Sequence, residues 1–167
     1  NGFDGVPGRF QLVEAGQPYT VIVDYAHTPD GLDNVLKTAR SITKGKLWAI
    51  FGCGGDRDNK KRPIMGGIAL DLADKVVVTS DNPRTEDPDA ILRSIEKGIQ
   101  KTEGKYIVIE NRREAIRYAL DMGQDGDVII LAGKGHETYQ DIMGVKRPFD
   151  EKIIVKELLA QMQQTGE

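Results

Sequence analysis

The segment Ser80-Asp81-Asn82-Pro83-Arg84-Thr85-Glu86-Asp87-Pro88 crowds a guanidinium, a carboxamide and several carboxylates onto a turn directly after the apolar run Lys75-Val76-Val77-Val78-Thr79. Arg84 is suited to grip a carboxylate with two parallel N–H donors, while Asp81 and Asn82 can accept from an ammonium. Together they suit the zwitterionic head group of a free amino acid. The same residues also make an ordinary turn, with Pro88 opening the next helix.

Three more polar segments follow apolar runs: Asp24-Tyr25-Ala26-His27, Gly52-Cys53-Gly54-Gly55-Asp56-Arg57-Asp58 and Gly133-Lys134-Gly135-His136-Glu137. In an open α/β sheet ligands bind beyond the carboxyl ends of the strands, so all four segments should meet at one edge. Folding does not require that convergence. Glycines 52, 54 and 55 allow positive φ and close backbone approach, which lets this loop cradle an anion. The loop matches neither the dinucleotide fingerprint nor the P-loop pattern. Arg57, Lys60, Lys61 and Arg62 read as a solvated surface run. His136-Glu137 lacks a second histidine at zinc spacing, and with His27 as the only other histidine no metal site is expected. His27 either orients or protonates a ligand or hydrogen-bonds the backbone at its strand end. Cys53 has no partner that would make it a nucleophile and reads as a small, partly buried filler.

The elements that must position these loops alternate along the chain. Phe10 to Glu14 and Tyr19 to Tyr25 read as a hairpin or bent pair of strands around Ala15-Gly16-Gln17-Pro18. Thr28 caps a helix with Pro29 at its first position and Leu32, Val35, Leu36, Ala39 and Ile42 as its buried stripe. Strands are expected at Lys46 to Gly52, Val76 to Thr79, Tyr106 to Ile109 and Val128 to Ala132. Helices are expected from about Pro63, with Ile64, Ile68, Leu72 and Ala73 inward, through Ile91 to Ile99, through Ala115 to Leu120, and from about Asp150. Short, continuous Val- and Ile-rich strands imply a sheet covered on both faces. The expected fold class is α/β: a three-layer α/β/α, Rossmann-like domain with a mixed, mostly parallel sheet of about six strands and the first strand antiparallel at an edge.

At 167 residues the chain suffices for one core. A net charge of −3 argues against a nucleic-acid footprint. One cysteine excludes an internal disulfide and fits a reducing, cytoplasmic setting; no apolar run nears the ~20 residues of a membrane span. The chain starts at Asn1 without methionine and reads as a piece of a larger protein.

Taken in order, Val6-Pro7-Gly8-Arg9, Val23-Asp24-Tyr25-Ala26-His27-Thr28-Pro29, the glycine loop from Gly52 to Asp58, Lys61-Arg62-Pro63, Asp81-Asn82-Pro83-Arg84 and Gly133-Lys134-Gly135-His136-Glu137 resemble the C-terminal domain of the Mur ligases. These are ATP-dependent, amino-acid-adding enzymes of peptidoglycan synthesis, and the resemblance covers nearly the whole chain. The Asp-Asn-Pro-Arg form looks like the MurE-type branch, which adds meso-diaminopimelate to UDP-N-acetylmuramoyl-L-alanyl-D-glutamate. The resemblance implies an interdomain linker remnant over residues 1–9 and an amino-acid-binding domain over residues 10–167. It implies that Arg57, Asp81, Asn82, Arg84, Gly133 and Glu137 hold diaminopimelate, and that Arg9, Asp24 and His27 reach ATP when domains close. It implies no catalytic residue and no metal ligand in this domain. ATP and Mg2+ would be bound mainly by a central domain, and the UDP-linked dipeptide also outside this sequence, so the chain alone should not ligate. No nucleic-acid partner and no membrane insertion are expected.

Within the same superfamily, a lysine-adding sibling, a folylpolyglutamate synthase or a cyanophycin synthetase are the rivals. Arg84 discriminates, because lysine lacks the second carboxylate that this side chain would pair. A stand-alone nucleotide-binding module of flavodoxin or Rossmann type would need the glycine fingerprint that is absent.

Overall fold

The computed structural model describes residues 9–99 and 106–165. Apart from Arg9, the expected linker over residues 1–9 lies outside them. Six strands form the main sheet in the order β1-β2-β6-β3-β4-β5: β1 (Gln11–Val13), β2 (Thr20–Asp24), β3 (Leu47–Phe51), β4 (Lys75–Val78), β5 (Tyr106–Val108) and β6 (Val128–Ala132). Only β1 runs antiparallel, pairing with β2 at the edge. The other neighbours are parallel, as expected from sequence.

Alternate residues of each strand enter different cores, which explains the uninterrupted apolar runs. Ile22, Ala49, Phe51, Val78 and Ile130 meet α1 (Pro29–Arg40), α2 (Lys61–Leu72) and α3 (Pro88–Glu96) on one face. Val23, Ile50, Val77 and Leu131 meet α4 (Arg112–Met122) and α5 (Glu151–Thr165) on the other. The helix starts follow their caps. Thr28 accepts from the Gly31 N–H ahead of Pro29, and Asp87 accepts from the Asp89 N–H ahead of Pro88.

Two inward assignments were wrong. Ile64 and Ile42 are about half exposed. On α2 the most buried residues are Arg62, Met65, Gly66 and Ala69, with Ile68, Leu72 and Ala73 packed partly buried beside them; Gly66 lets α3 come close, since a Cβ there would sit 2.5 Å from the Ile95 carbonyl oxygen. Ile42 lies past the α1 C-cap at Ser41. A second, two-stranded sheet was not anticipated: β7 (Tyr139–Ile142) and β8 (Val145–Pro148) form a hairpin beside the main sheet.

Candidate functional site

The carboxyl ends of β2, β3, β4 and β6 lie side by side, and their four loops enclose one cavity of about 230 Å³. His27, Arg57, Arg84, Asp81, Asn82 and Glu137 line it, together with Gly133 and Lys61. The convergence expected from sequence therefore occurs, and the cavity carries both signs of charge.

The basic side is held by a strained backbone. Arg84 has φ +54°, a left-handed conformation that a side chain adopts at a cost on the order of 1 kcal/mol or more. The hairpin holds it there: the Arg84 N–H donates to the Asp141 carbonyl at 2.9 Å and the Met143 N–H donates to the Arg84 carbonyl at 2.6 Å. Its Nη1 donates to the Gly55 carbonyl at 2.9 Å. Gly55 must be glycine, since a Cβ there would sit 1.8 Å from the Pro83 carbonyl oxygen.

The glycine loop is tied to the same turn by charged groups. Asp56 accepts from the Thr85 N–H at 3.1 Å and from its hydroxyl, and Glu86 accepts from the Asp56 N–H at 2.8 Å. These contacts hold both carboxyls below their usual range. The Thr85 hydroxyl is the chief cause for Asp56, and the hydrogen bond from Arg62 for Glu86. Arg62 is buried, contrary to its reading as a surface residue, because it donates to both Glu86 oxygens and to the Gly54 carbonyl. Arg57 is exposed at the rim and donates to the Asp56 carbonyl. Lys61, also missed, donates to the His27 carbonyl at 2.9 Å.

On the acidic side Asp81 is nearly buried and Glu137 partly so. Asn82 was expected to accept from an ammonium, but its oxygen is already engaged. Its Oδ1 already accepts from the Lys134 ammonium at 2.8 Å and from the Asp141 N–H at 3.0 Å, and its Nδ2 points to Glu137 Oε1 at 3.4 Å. With both oxygen lone pairs engaged, Asn82 faces the cavity as a donor. Beneath it, fully buried Arg112 donates to Glu151, to the Ser80 carbonyl and to the Ala132 carbonyl, joining the ends of β4 and β6. Burial works against its charge, but Glu151 and Asp81 outweigh that, so Arg112 stays protonated.

His27 uses Nδ1 on the Tyr25 carbonyl at 2.9 Å, the backbone contact expected at its strand end, and also lines the cavity. Asp24 is turned inward, accepting from the Phe10 N–H at 2.6 Å and from the Ala26 N–H at 2.8 Å. Neither Asp24 nor exposed Arg9 lines the cavity. Burial pushes the Cys53 thiol up to about 12, which fits its reading as a filler. Among the described residues no group of three His, Cys, Asp or Glu side chains is placed to hold a metal ion, and no helix is long and apolar enough to cross a membrane.

The family described as Mur ligase, glutamate ligase domain, matches residues 8–135. The chain belongs to the Mur ligase family. A UDP-N-acetylmuramoyl-L-alanyl-D-glutamate–2,6-diaminopimelate ligase of Caldanaerobacter subterraneus is 56% identical over 93% of this chain and 32% of its own length. A solved structure of a ligase of that same name superposes with a TM-score of 0.89 at 46% identity, covering 95% of this chain and 32% of the other. A bifunctional folylpolyglutamate synthase/dihydrofolate synthase from Yersinia pestis shares the fold, with a TM-score of 0.60 at 19% identity over 95% of this chain and 32% of its own. The chain thus spans about a third of the length of the relatives it matches.

Proposed function

We propose that this chain is the amino-acid-binding domain of an ATP-dependent ligase that adds meso-diaminopimelate to UDP-N-acetylmuramoyl-L-alanyl-D-glutamate in peptidoglycan synthesis. The observation that carries the reading is the charge layout of one cavity's lining, where Arg57 and Arg84 flank Gly54 while Asp81 and Glu137 both stand near Lys134. A zwitterionic head group fits such a layout, its carboxylate on the arginines and the Asn82 amide, its ammonium on the two carboxylates and the Gly133 carbonyl. Diaminopimelate carries two such head groups, so one can be held while the other offers its amine.

In the ligation the peptide carboxylate would be activated as an acyl phosphate, the amine would form the new C–N bond, and phosphate would leave. This domain contributes position: a held amine reacts as though at high local concentration. ATP and Mg2+ would be bound mainly by a central domain outside this sequence. The glycine loop here lacks a P-loop lysine and Ser/Thr, and the described residues offer no cluster of metal ligands. Arg9, Asp24 and His27 are proposed as contacts to ATP on domain closure, with the reaction set in the cytoplasm.

The test is a ligation assay with the full-length enzyme carrying this domain, supplied with the UDP-linked dipeptide, ATP and either meso-diaminopimelate or L-lysine. Preference for diaminopimelate is expected; equal or better use of lysine would overturn the reading.

A further inference from the structure

The Lys134 side chain is fully buried, and nothing in the function proposed above uses it. A buried ammonium needs all three of its donors matched. Two hydrogen bonds are formed, to Asn82 Oδ1 and to the Tyr139 carbonyl, each at 2.8 Å. The third neighbour is Asp81, whose Oδ1 lies 3.3 Å away, within ion-pair range but out of line for a hydrogen bond. Glu137 Oε1 stands further off, at 3.8 Å. One cation therefore contacts three residues that line the cavity while itself touching no solvent.

Two consequences follow for polarity. An amide can be flipped with little change of shape, so Asn82 alone could present either its oxygen or its NH2. With Lys134 and the Asp141 N–H both donating to the oxygen, only the NH2 is left for the cavity. Asp81, nearly buried, stands beside the same cation, its Oδ1 3.3 Å from the ammonium. Burial pushes the Lys134 ammonium below the usual lysine range, with Asp81 acting against that shift.

We propose that Lys134 is a positioning residue that sets the polarity of the amino-acid pocket, turning Asn82 into a carboxylate donor and fixing Asp81 beside it as the ammonium acceptor. This deepens the diaminopimelate reading and rests on it. Lys134 never reaches the substrate; it decides which half of the pocket receives which end of the head group.

The test uses the full-length ligase, with KM for meso-diaminopimelate and kcat measured separately. If the wild-type enzyme does not use diaminopimelate, the underlying reading fails before any variant is compared. Given that activity, Lys134→Met should raise KM by about 30-fold or more while kcat at saturation changes by less than about threefold. In an Asn82→Ala background the same change should raise KM by much less, because the two residues act as a unit. Independent, multiplying effects, or a KM within about threefold of wild type, would overturn the proposal.

Asn82→Asp keeps the test decisive even if Lys134→Met does not fold. An aspartate at 82 still offers oxygens to Lys134 and to the Asp141 N–H, but it sets a second carboxylate 3.4 Å from Glu137, so the thermal midpoint should fall somewhat and KM is read at a temperature where the variant is folded. It replaces the cavity-facing NH2 with an oxygen, so KM should rise about tenfold or more. Unchanged KM in a folded Asn82→Asp enzyme would sink the donor assignment, and with it the role given to Lys134.

Discussion

The Arg112 guanidinium meets the Glu151 carboxylate at 2.6 Å with neither side chain exposed. This pair sits under the cavity and joins the starts of α4 and α5, while the other guanidinium nitrogens hold the ends of β4 and β6. The loops that carry Asp81 and Gly133 begin at those two strand ends. A scaffold contact thus sets the spacing of the site.

Removing one member of such a pair leaves an uncompensated buried charge. Arg112→Met should cost about 3–5 kcal/mol in urea unfolding of the domain. Replacing both, as Arg112→Met with Glu151→Leu, should cost clearly less than Arg112→Met alone. A double variant as unstable as the single one would contradict the desolvation argument.

Arg84→Ala should lower kcat/KM for diaminopimelate by roughly 30- to 1000-fold, the loss of a charge-assisted bidentate contact worth about 2–4 kcal/mol. Lysine should gain only relatively. Arg84→Lys should rescue little, because a point charge cannot reproduce the fork. Steady-state comparison of the two amino acids decides it, and an unchanged preference in Arg84→Ala would remove Arg84 from the site.

Gly55→Ala tests the seam between the glycine loop and the Asp81–Arg84 turn. A methyl group would sit 1.8 Å from the Pro83 carbonyl oxygen, so backbone must move. The expected loss is more than about 2 kcal/mol in thermal or urea unfolding, with weaker diaminopimelate binding. Gly144→Ala at the hairpin tip, where a Cβ meets no atom within 4 Å but φ is +79°, should cost only the backbone strain, about 1 kcal/mol.

Acid should open the same seam. Asp56 and Glu86 have lowered pKa values in the folded state. A carboxyl whose folded pKa is lowered adds stability above its unfolded value, and that stability is lost as pH falls through the folded value. The thermal midpoint should therefore fall below about pH 4, the ordinary carboxylate range. Asp56→Asn with Glu86→Gln should lose stability at neutral pH and show a shallower decline in acid; an unchanged acid slope would assign the decline to other groups.

The isolated 167-residue chain should neither hydrolyse ATP nor extend the UDP-linked dipeptide, since its glycine loop has no P-loop lysine. Phosphate release at or below the blank is the expected reading, and sustained turnover by the purified chain would place a nucleotide site within it.

Much of the fold was legible because strands and helices carry their own signals. The Val- and Ile-rich runs marked the sheet, and Thr28-Pro29 and Asp87-Pro88 marked helix starts. Buried charges were not legible. Arg62 read as solvent-facing, and nothing marked Arg112 or Lys134 as buried, because their partners Glu86, Glu151 and Asn82 lie far along the chain. The β7–β8 hairpin was missed for a related reason: β8 is exposed throughout, so no apolar alternation announces it. At the site, residue type located the cavity but could not orient the Asn82 amide, which depends on the hairpin and on Lys134.

Cys53 is the sole cysteine, and burial leaves its thiol protonated at neutral pH. Alkylating dyes need an accessible thiolate, so this chain is silent toward them as it stands. A single Val145→Cys change, at an exposed position on the hairpin, would then accept one label at one place without any cysteine being removed. Because that hairpin grips the Arg84 backbone, a fluorophore there would report directly on the segment that carries the arginine.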